Sequence, residues 1–198
     1  MLENKTVVCF GDSNTWGYNS DPATDFRYEE NQRWVNILQN KTGAKFINCG
    51  INGREIPVTE MSIEALDWLD GSHGSVLFCV MLGTNDILNN DGFTAERTGF
   101  RMKRLLDILV NQPAVQNKTA QILLIAPANC VLGSWANSEF IVSEISRLGK
   151  VYESIAKACN IRFFDAGTVD IGLLEDGVHF TKQGHRAMAE ALERYLAE

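Results

Sequence analysis

The chain has 198 residues, of which 45% are apolar and 22% are charged, so it favours one folded domain with a full hydrophobic core over a disordered chain. Its formal net charge is −7 and no local cluster of lysine and arginine offsets it, which argues against a nucleic-acid partner because phosphate backbones bind to positive charge. The longest apolar run, VLFCVML at 76–82, is too short for a membrane-spanning helix, so we expect no membrane partner.

The N-terminal sequence MLENKTVVCFGDS runs into a strand-like segment almost at once, so we expect no signal peptide. The chain has five widely spaced cysteines: Cys9, Cys49, Cys79, Cys130 and Cys159. This spacing matches neither a zinc knuckle nor a disulfide framework, and we interpret the cysteines as core residues. The sequence therefore predicts a reduced, cytoplasmic protein.

Five short apolar runs predict β-strands at 6–10, 45–49, 75–82, 121–127 and 161–166. Each is nearly continuous in Val, Ile, Leu or Phe, which is typical of strands that are buried on both faces of a parallel sheet. Segments with helical spacing of apolar residues lie between these runs. The alternation predicts a single α/β domain over 1–198, with three layers around a five-stranded parallel sheet.

The helical spacing is clearest from 138 to 159. Its apolar positions recur every three or four residues: Ile141, Ile145, Leu148, Tyr152, Ile155 and Cys159. This pattern predicts one continuous amphipathic helix. Similar stripes predict helices around 34–38 and 102–109, and a last helix with Thr181 as its N-cap. The polar connection 17–31 is long enough to be functional, as a lid or as an interface in a homo-oligomer.

Polar, glycine-rich turns follow the predicted strands: GDSN with Ser13, CGINGRE with Gly50, and GTND with Asn85. Ligands of open α/β sheets bind beyond the carboxyl ends of the strands, where these turns would converge. Each turn taken alone has a simpler interpretation, because Gly, Asp, Ser and Asn are ordinary turn residues. A nucleophilic role for Ser13 would require a base, an orienting acid and donors for an oxyanion.

The chain has three candidate bases, His73, His179 and His185. His73 lies in a turn before the third strand, at the opposite edge of the sheet, and we interpret it as a surface turn residue. His185 lies within the last helix, and we interpret it as a packed or surface residue. His179 follows Asp176 by three residues, a spacing that lets the carboxylate accept from Nδ1–H and leaves Nε2 to take a proton from Ser13. The backbone N–H groups of Ser13 and Gly50 and the amide of Asn85 are the candidate oxyanion donors.

GDSN, CGINGRE, GTND and the DGVH segment that contains Asp176 and His179 follow one another in this order and resemble the SGNH (GDSL-like) hydrolases. The resemblance spans residues 7–185. It implies a flavodoxin-like α/β/α fold and the hydrolysis of esters or thioesters without a metal or cofactor. Ser13 would be the nucleophile, His179 the proton relay and Asp176 the orienting acid. Ser13, Gly50 and Asn85 would form the oxyanion hole.

GDSNTWGY, CGINGRE and DGVHFT also resemble the arylesterase and acyltransferase-like group of that family, whose members act on short acyl esters, often acetyl esters, and sometimes transfer the acyl group. Two features depart from the group's pattern. Asn14 stands where Leu or Ile is common, and 18–31 matches no pattern of the group. The resemblance implies a small acyl ester as substrate, with thioesters and lysophospholipids as alternatives.

Four further residues are candidates for contacting substrate, and three of them have a structural alternative. Trp16, like Tyr18, either lines an acyl pocket or packs beneath the loop. Arg54 either binds substrate or braces the Gly50 turn by pairing with an acidic neighbour (Asp12, Asp86 or Glu55). Trp135 either forms a wall of the cleft or packs at a helix start. Asp12 is the fourth candidate.

Two other functions remain open from the sequence. Asp12, Asp86, Asp176 and His179 could form a metal-dependent phosphoesterase site, since carboxylates bind hard cations. That interpretation leaves Ser13 and Asn85 without a role. A non-catalytic binding module on the same fold is the other alternative.

Overall fold

The computed structural model describes residue 2 and residues 5–197 of the chain, and five β-strands lie within that part. They are β1 (Thr6–Gly11), β2 (Lys45–Gly50), β3 (Val76–Met81), β4 (Ala120–Ala126) and β5 (Arg162–Asp165). The strands are all parallel and lie in the order β2-β1-β3-β4-β5. The predicted five-stranded parallel sheet is therefore confirmed.

Helices cover both faces of this sheet. Within the described residues they are α1 (Ser13–Trp16), α2 (Trp34–Thr42), α3 (Thr84–Asn89), α4 (Ala95–Val110), α5 (Pro113–Gln116), α6 (Glu139–Ser146), α7 (Leu148–Cys159) and α8 (Lys182–Ala197). None of them is long and apolar enough to cross a membrane.

The hydrophobic core has two halves, one on each face of the sheet. In β1, Val8 and Phe10 belong to the half that includes the apolar residues of α4 and α7, whereas Val7 and Cys9 belong to the half with α2 and α8. Both faces of the strand are thus buried, which explains why its sequence is continuously apolar rather than alternating. The three-layer α/β/α architecture follows from this arrangement.

The prediction of one continuous helix over 138–159 is wrong, because the structure breaks it at Arg147 between α6 and α7. The N–H of Arg147 bonds to the carbonyl of Glu144, three residues back, and its guanidinium binds the Glu144 carboxylate at 2.7 Å. Just beyond, Gly149 packs against Asp165 so closely that a Cβ would lie 2.3 Å from Oδ2. The periodicity identified the buried face, because residues of both helices enter the same half-core.

The carboxyl ends of the central strands lie level with one another. Gly11 is paired with Gly50 of β2 and with Met81 of β3. Both glycines press against the short helix α1: a Cβ on Gly11 would lie 2.1 Å from Oγ1 of Thr15, and one on Gly50 would lie 2.2 Å from the backbone nitrogen of Trp16. Glycine is needed at both positions because a Cβ would overlap the Thr15 side chain at Gly11 and the helix backbone at Gly50.

Candidate active site

Ser13 is the first residue of α1, immediately after β1, and it is buried. Asp12 caps this helix by accepting the N–H of Asn14 at 3.0 Å, and Gly17 ends the helix with a φ of 97°. Asp12, Ser13 and Asn14 of GDSN therefore form the cap and the start of a one-turn helix that fixes the position of the Ser13 side chain.

A continuous chain of hydrogen bonds joins Ser13 to His179 and Asp176. Oγ of Ser13 lies 2.9 Å from Nε2 of His179, and Nδ1 of the same ring lies 2.8 Å from Oδ2 of Asp176. The other carboxylate oxygen accepts the N–H groups of Val178 at 2.8 Å and His179 at 2.9 Å. Burial alone would raise the pKa of Asp176, but these hydrogen bonds outweigh it and hold the pKa below its ordinary value, so the carboxylate is ionised.

The loop between β4 and α6 supports the Asp176 turn. The N–H of Val131 donates to the carbonyl of Gly177 at 3.0 Å, and the N–H of Trp135 donates to the carbonyl of Asp176 at 3.1 Å. Gly177 has a φ of 80° and lies so close to Val131 that a Cβ would be 2.1 Å from its carbonyl oxygen. Sequence reasoning missed this support, because no motif marks the loop as a partner of the DGVH turn.

Two aromatic side chains flank the imidazole of His179. The ring of Tyr18 lies 4.1 Å from it, and the ring of Trp135 lies 4.9 Å away in an edge-on arrangement. Trp135 is 49% exposed, so it borders the site from the solvent side. Trp135 lies in the loop that precedes α6, with its ring beside His179. This position favours the interpretation as a wall of the cleft over packing at a helix start.

Trp16 lies differently. The guanidinium of Arg27 covers its ring at 4.5 Å, and Nε of Arg27 donates to the Trp16 carbonyl at 3.0 Å. Arg27 belongs to the 17–31 connection, which also buries Tyr28 and thus folds onto the domain. Trp16 therefore packs beneath this loop, and Tyr18 is the aromatic residue of the segment that contacts His179.

Gly50 and Asn85 lie at the same edge of the sheet as Ser13. The N–H of Gly50 donates to Oδ1 of Asn48 at 2.9 Å. An oxyanion at this position would have to share the Gly50 N–H with Asn48 or displace the Asn48 oxygen from it. The same Asn48 side chain donates to the carbonyl of Thr15 at 2.7 Å and ties β2 to α1.

Asn85, in the first turn of α3, uses its side-chain nitrogen to donate to the Arg54 carbonyl at 3.1 Å. A primary amide has two N–H groups, and the second can serve a ligand.

Arg54 braces the backbone at this edge. Its Nη1 donates to the carbonyls of Gly11, at 2.8 Å, and Cys49, and the guanidinium lies over the ring of Phe10. Its acidic partner is Glu64, at 2.8 Å, which corrects the expected pairing with Asp12, Asp86 or Glu55. Because these contacts engage both terminal nitrogens, the bracing interpretation fits the structure better than a substrate contact.

Asp12 is 3% exposed, and its placement as a helix cap explains its burial. Burial raises its pKa to about 6, against the opposing effects of the Asn14 N–H, His179 and Arg54. Among the described residues, no cationic side chain forms a hydrogen bond or salt bridge that would compensate the buried charge of Asp12. The contact that the structure shows for this side chain is the helix cap, and the substrate contact stays a prediction.

Asp86 anchors the segment that follows Gly50. Its Oδ2 accepts the N–H of Ile56 at 3.0 Å, and its Oδ1 lies 2.8 Å from Nη1 of Arg101, which also binds Glu55. Burial raises the pKa of Asp86 to about 6, although Arg101 opposes the shift. Across the described residues, no three His, Cys, Asp or Glu side chains form a group that could hold a metal ion. The residues of the phosphoesterase alternative are thus not assembled into a metal site.

The other two histidines have structural surroundings. His185 is buried against Tyr28 and Phe180, and its Nδ1 accepts the N–H of Trp34 at 3.4 Å. Burial lowers the pKa of His185 to about 3, so the ring is neutral. His73 stacks on Trp68 in the turn before β3, at the edge of the sheet away from Ser13.

Comparison with known proteins finds a matching family and similar solved structures. The model of the GDSL-like lipase/acylhydrolase family matches residues 9–187. A putative arylesterase from Agrobacterium tumefaciens str. C58 is 31% identical, with 98% of each chain covered and a TM-score of 0.79. A carbohydrate acetylesterase family member from Sinorhizobium meliloti is 28% identical over 97% of each chain, with a TM-score of 0.78. The aryl esterase of M. smegmatis is 25% identical over 98% of each chain, with a TM-score of 0.79.

No curated protein matches the chain significantly. The family model nevertheless covers most of the sequence, and the solved structures share its fold over nearly their whole length. The chain therefore belongs to the GDSL-like lipase/acylhydrolase family, also known as the SGNH hydrolases.

Proposed function

We propose that this protein is a serine esterase that hydrolyses short-chain acyl esters, most simply acetyl esters, through an acyl-enzyme on Ser13. The observation that carries the proposal is the hydrogen-bond chain from Ser13 through His179 to Asp176, with distances of 2.9 and 2.8 Å. Nucleophile and base are within the range for proton transfer, and the base is oriented by an ionised carboxylate.

In the first step, Oγ of Ser13 attacks the acyl carbon while Nε2 of His179 takes its proton. Collapse of the tetrahedral intermediate breaks the bond to the alcohol oxygen, and the imidazolium returns the proton to that oxygen as the alcohol leaves. In the second step, His179 removes a proton from water, which attacks the acyl-enzyme. The carboxylic acid is released, and Ser13 regains its proton. Asp176 keeps the ring in the required tautomer and stabilises the imidazolium.

The negative charge of each tetrahedral intermediate needs hydrogen-bond donors. The backbone N–H groups of Ser13 and Gly50 and the side-chain amide of Asn85 are the donors that we assign to it. Support comes from the close approach of Gly50 to α1 and from the position of Asn85 after β3. Losing one such donor typically costs about 10²–10³ in turnover.

The leaving group must lie next to Nε2 of His179, which protonates it. Tyr18 and Trp135 flank that ring, so we assign them to the wall that contacts the alcohol part of the ester. Flat aryl and pyranose rings pack well on such aromatic surfaces. Solved structures similar to this chain include proteins described as an aryl esterase and as carbohydrate acetylesterases, which supports the same substrate classes. The net charge of −7 disfavours polyanionic substrates.

The test is hydrolysis of p-nitrophenyl esters from acetate to palmitate by the wild type and by Ser13→Ala, with a chelator present. We expect a preference for acetate that disappears in Ser13→Ala and is insensitive to the chelator. A preference for long chains would favour the lysophospholipase alternative, and faster hydrolysis of acetyl-CoA than of p-nitrophenyl acetate in a parallel assay would favour the thioesterase alternative. Activity that survives in Ser13→Ala would refute the serine mechanism, and no activity in either protein would favour a binding module.

A further inference from the structure

The side chain of Asn14 forms a bracket around His179. Its Nδ2 donates to the carbonyl of Val178 at 3.1 Å, and its Oδ1 accepts the N–H of Phe180 at 3.0 Å. These two groups belong to the residues immediately before and after His179. A single amide thus satisfies both backbone groups, as a neighbouring strand would, across a sequence separation of more than 160 residues.

The backbone of His179 itself is bound on its other side. Its N–H donates to Oδ1 of Asp176 at 2.9 Å, and its carbonyl accepts the N–H of Leu174 at 2.7 Å. With the Asn14 amide opposite, hydrogen bonds hold the peptide units around His179 from two directions. The imidazole is therefore fixed by its backbone as well as by its contact with Asp176.

Asn14 is itself rigidly placed. It follows Ser13 directly within α1, it is buried, and its carbonyl accepts Nε1–H of Trp34 at 3.0 Å. Its amide consequently links the helix that carries Ser13 to the turn that carries His179.

We propose that Asn14 is a positioning residue: its amide holds the backbone on both sides of His179 and keeps the imidazole within hydrogen-bonding distance of Ser13. The proposal rests on the proposed serine-esterase function. Leucine has nearly the same shape as asparagine but makes neither bond, so Asn14→Leu leaves the Val178 carbonyl and Phe180 N–H without their partner. Misplacement of a catalytic group by about 1 Å can cost about 10² in rate.

The matched control is Gln39→Met. The amide oxygen of Gln39 also accepts a backbone N–H, from Phe46 at 3.0 Å, but at the start of β2 and therefore at the opposite edge of the sheet. For both variants we would measure kcat and KM with p-nitrophenyl acetate, the Tm, and the ¹H NMR signal of the Nδ1 proton of His179. The NMR signal reports whether the imidazole stays fixed on Asp176, which a purely structural effect elsewhere would not change.

We expect Asn14→Leu to lower kcat about 10²-fold with little change in KM, and to weaken or broaden the His179 signal. Gln39→Met should keep the wild-type kcat and the wild-type His179 signal, even if its Tm falls. An unchanged kcat and NMR signal in Asn14→Leu would overturn the proposal. If Asn14→Leu does not fold, Asn14→Ala is judged by the same criteria. Alanine leaves room for water beside the Val178 carbonyl and the Phe180 N–H, so these groups need not stay without a partner. An inactive wild type would refute the esterase function, and the NMR comparison alone would then decide the role of Asn14.

Discussion

Replacing Asp12 by asparagine should stabilise the protein at neutral and alkaline pH. Asp12 is buried, and its pKa is raised from 3.8 to about 6. The folded state therefore binds a proton at a pH at which the unfolded state has released it. Stability from this group is present below about pH 4 and is lost as the pH rises through about 6. The full loss lowers the free energy of unfolding by about 3 kcal/mol, since a pKa shift of one unit is worth about 1.4 kcal/mol.

Asparagine retains the oxygen that accepts the Asn14 N–H and is an equally good helix cap, so Asp12→Asn removes the charge without removing the contact. For a chain of this size, about 3 kcal/mol corresponds to a Tm increase of about 6–12 °C. Thermal unfolding followed by circular dichroism should show this increase at pH 8 and a much smaller one at pH 4. Asp21→Asn is the control, because Asp21 caps a turn in the same way but is exposed. Equal stabilisation by both variants, or none by Asp12→Asn at pH 8, would refute the reasoning.

Three further changes test the site. Asp176→Asn should lower kcat for p-nitrophenyl acetate about 10⁴-fold, because an amide favours the wrong tautomer of His179; a loss below tenfold would contradict the orienting role. Gly50→Ala places a methyl group 2.2 Å from the Trp16 nitrogen, so we expect a large drop in Tm and in activity, and a wild-type Tm would contradict the packing. Trp135→Ala should raise KM for aryl acetates while KM for methyl acetate changes little, as measured by steady-state kinetics; equal effects on both esters would exclude a leaving-group contact.

The parallel sheet and the hydrogen-bonded trio of Ser13, Asp176 and His179 could be predicted from the sequence for a physical reason. Strands buried on both faces are continuously apolar, and the carboxyl ends of parallel strands meet at one edge, so short motifs after each strand converge. The Asp176–His179 contact is local, because three residues separate its members. These features depend on order along the chain and on local geometry.

Contacts between distant segments could not be predicted in the same way. The amide of Asn14 meets residues more than 160 positions away, and Arg54 pairs with Glu64 rather than with the acidic residues that were expected. Such partners depend on how loops pack in three dimensions. The break at Arg147 was missed because the apolar residues of α6 and α7 enter the same half of the core and keep one periodicity across the break.

The most direct test of the central claim is to trap the acyl-enzyme. The wild type and Ser13→Ala would be mixed with p-nitrophenyl acetate and quenched in acid on the millisecond timescale, and their peptides would be mapped by mass spectrometry. We expect one acetyl group on Ser13 in the wild type and none on the corresponding peptide of Ser13→Ala. Turnover by the wild type without an acetylated Ser13, or with the acetyl group on another residue, would contradict it.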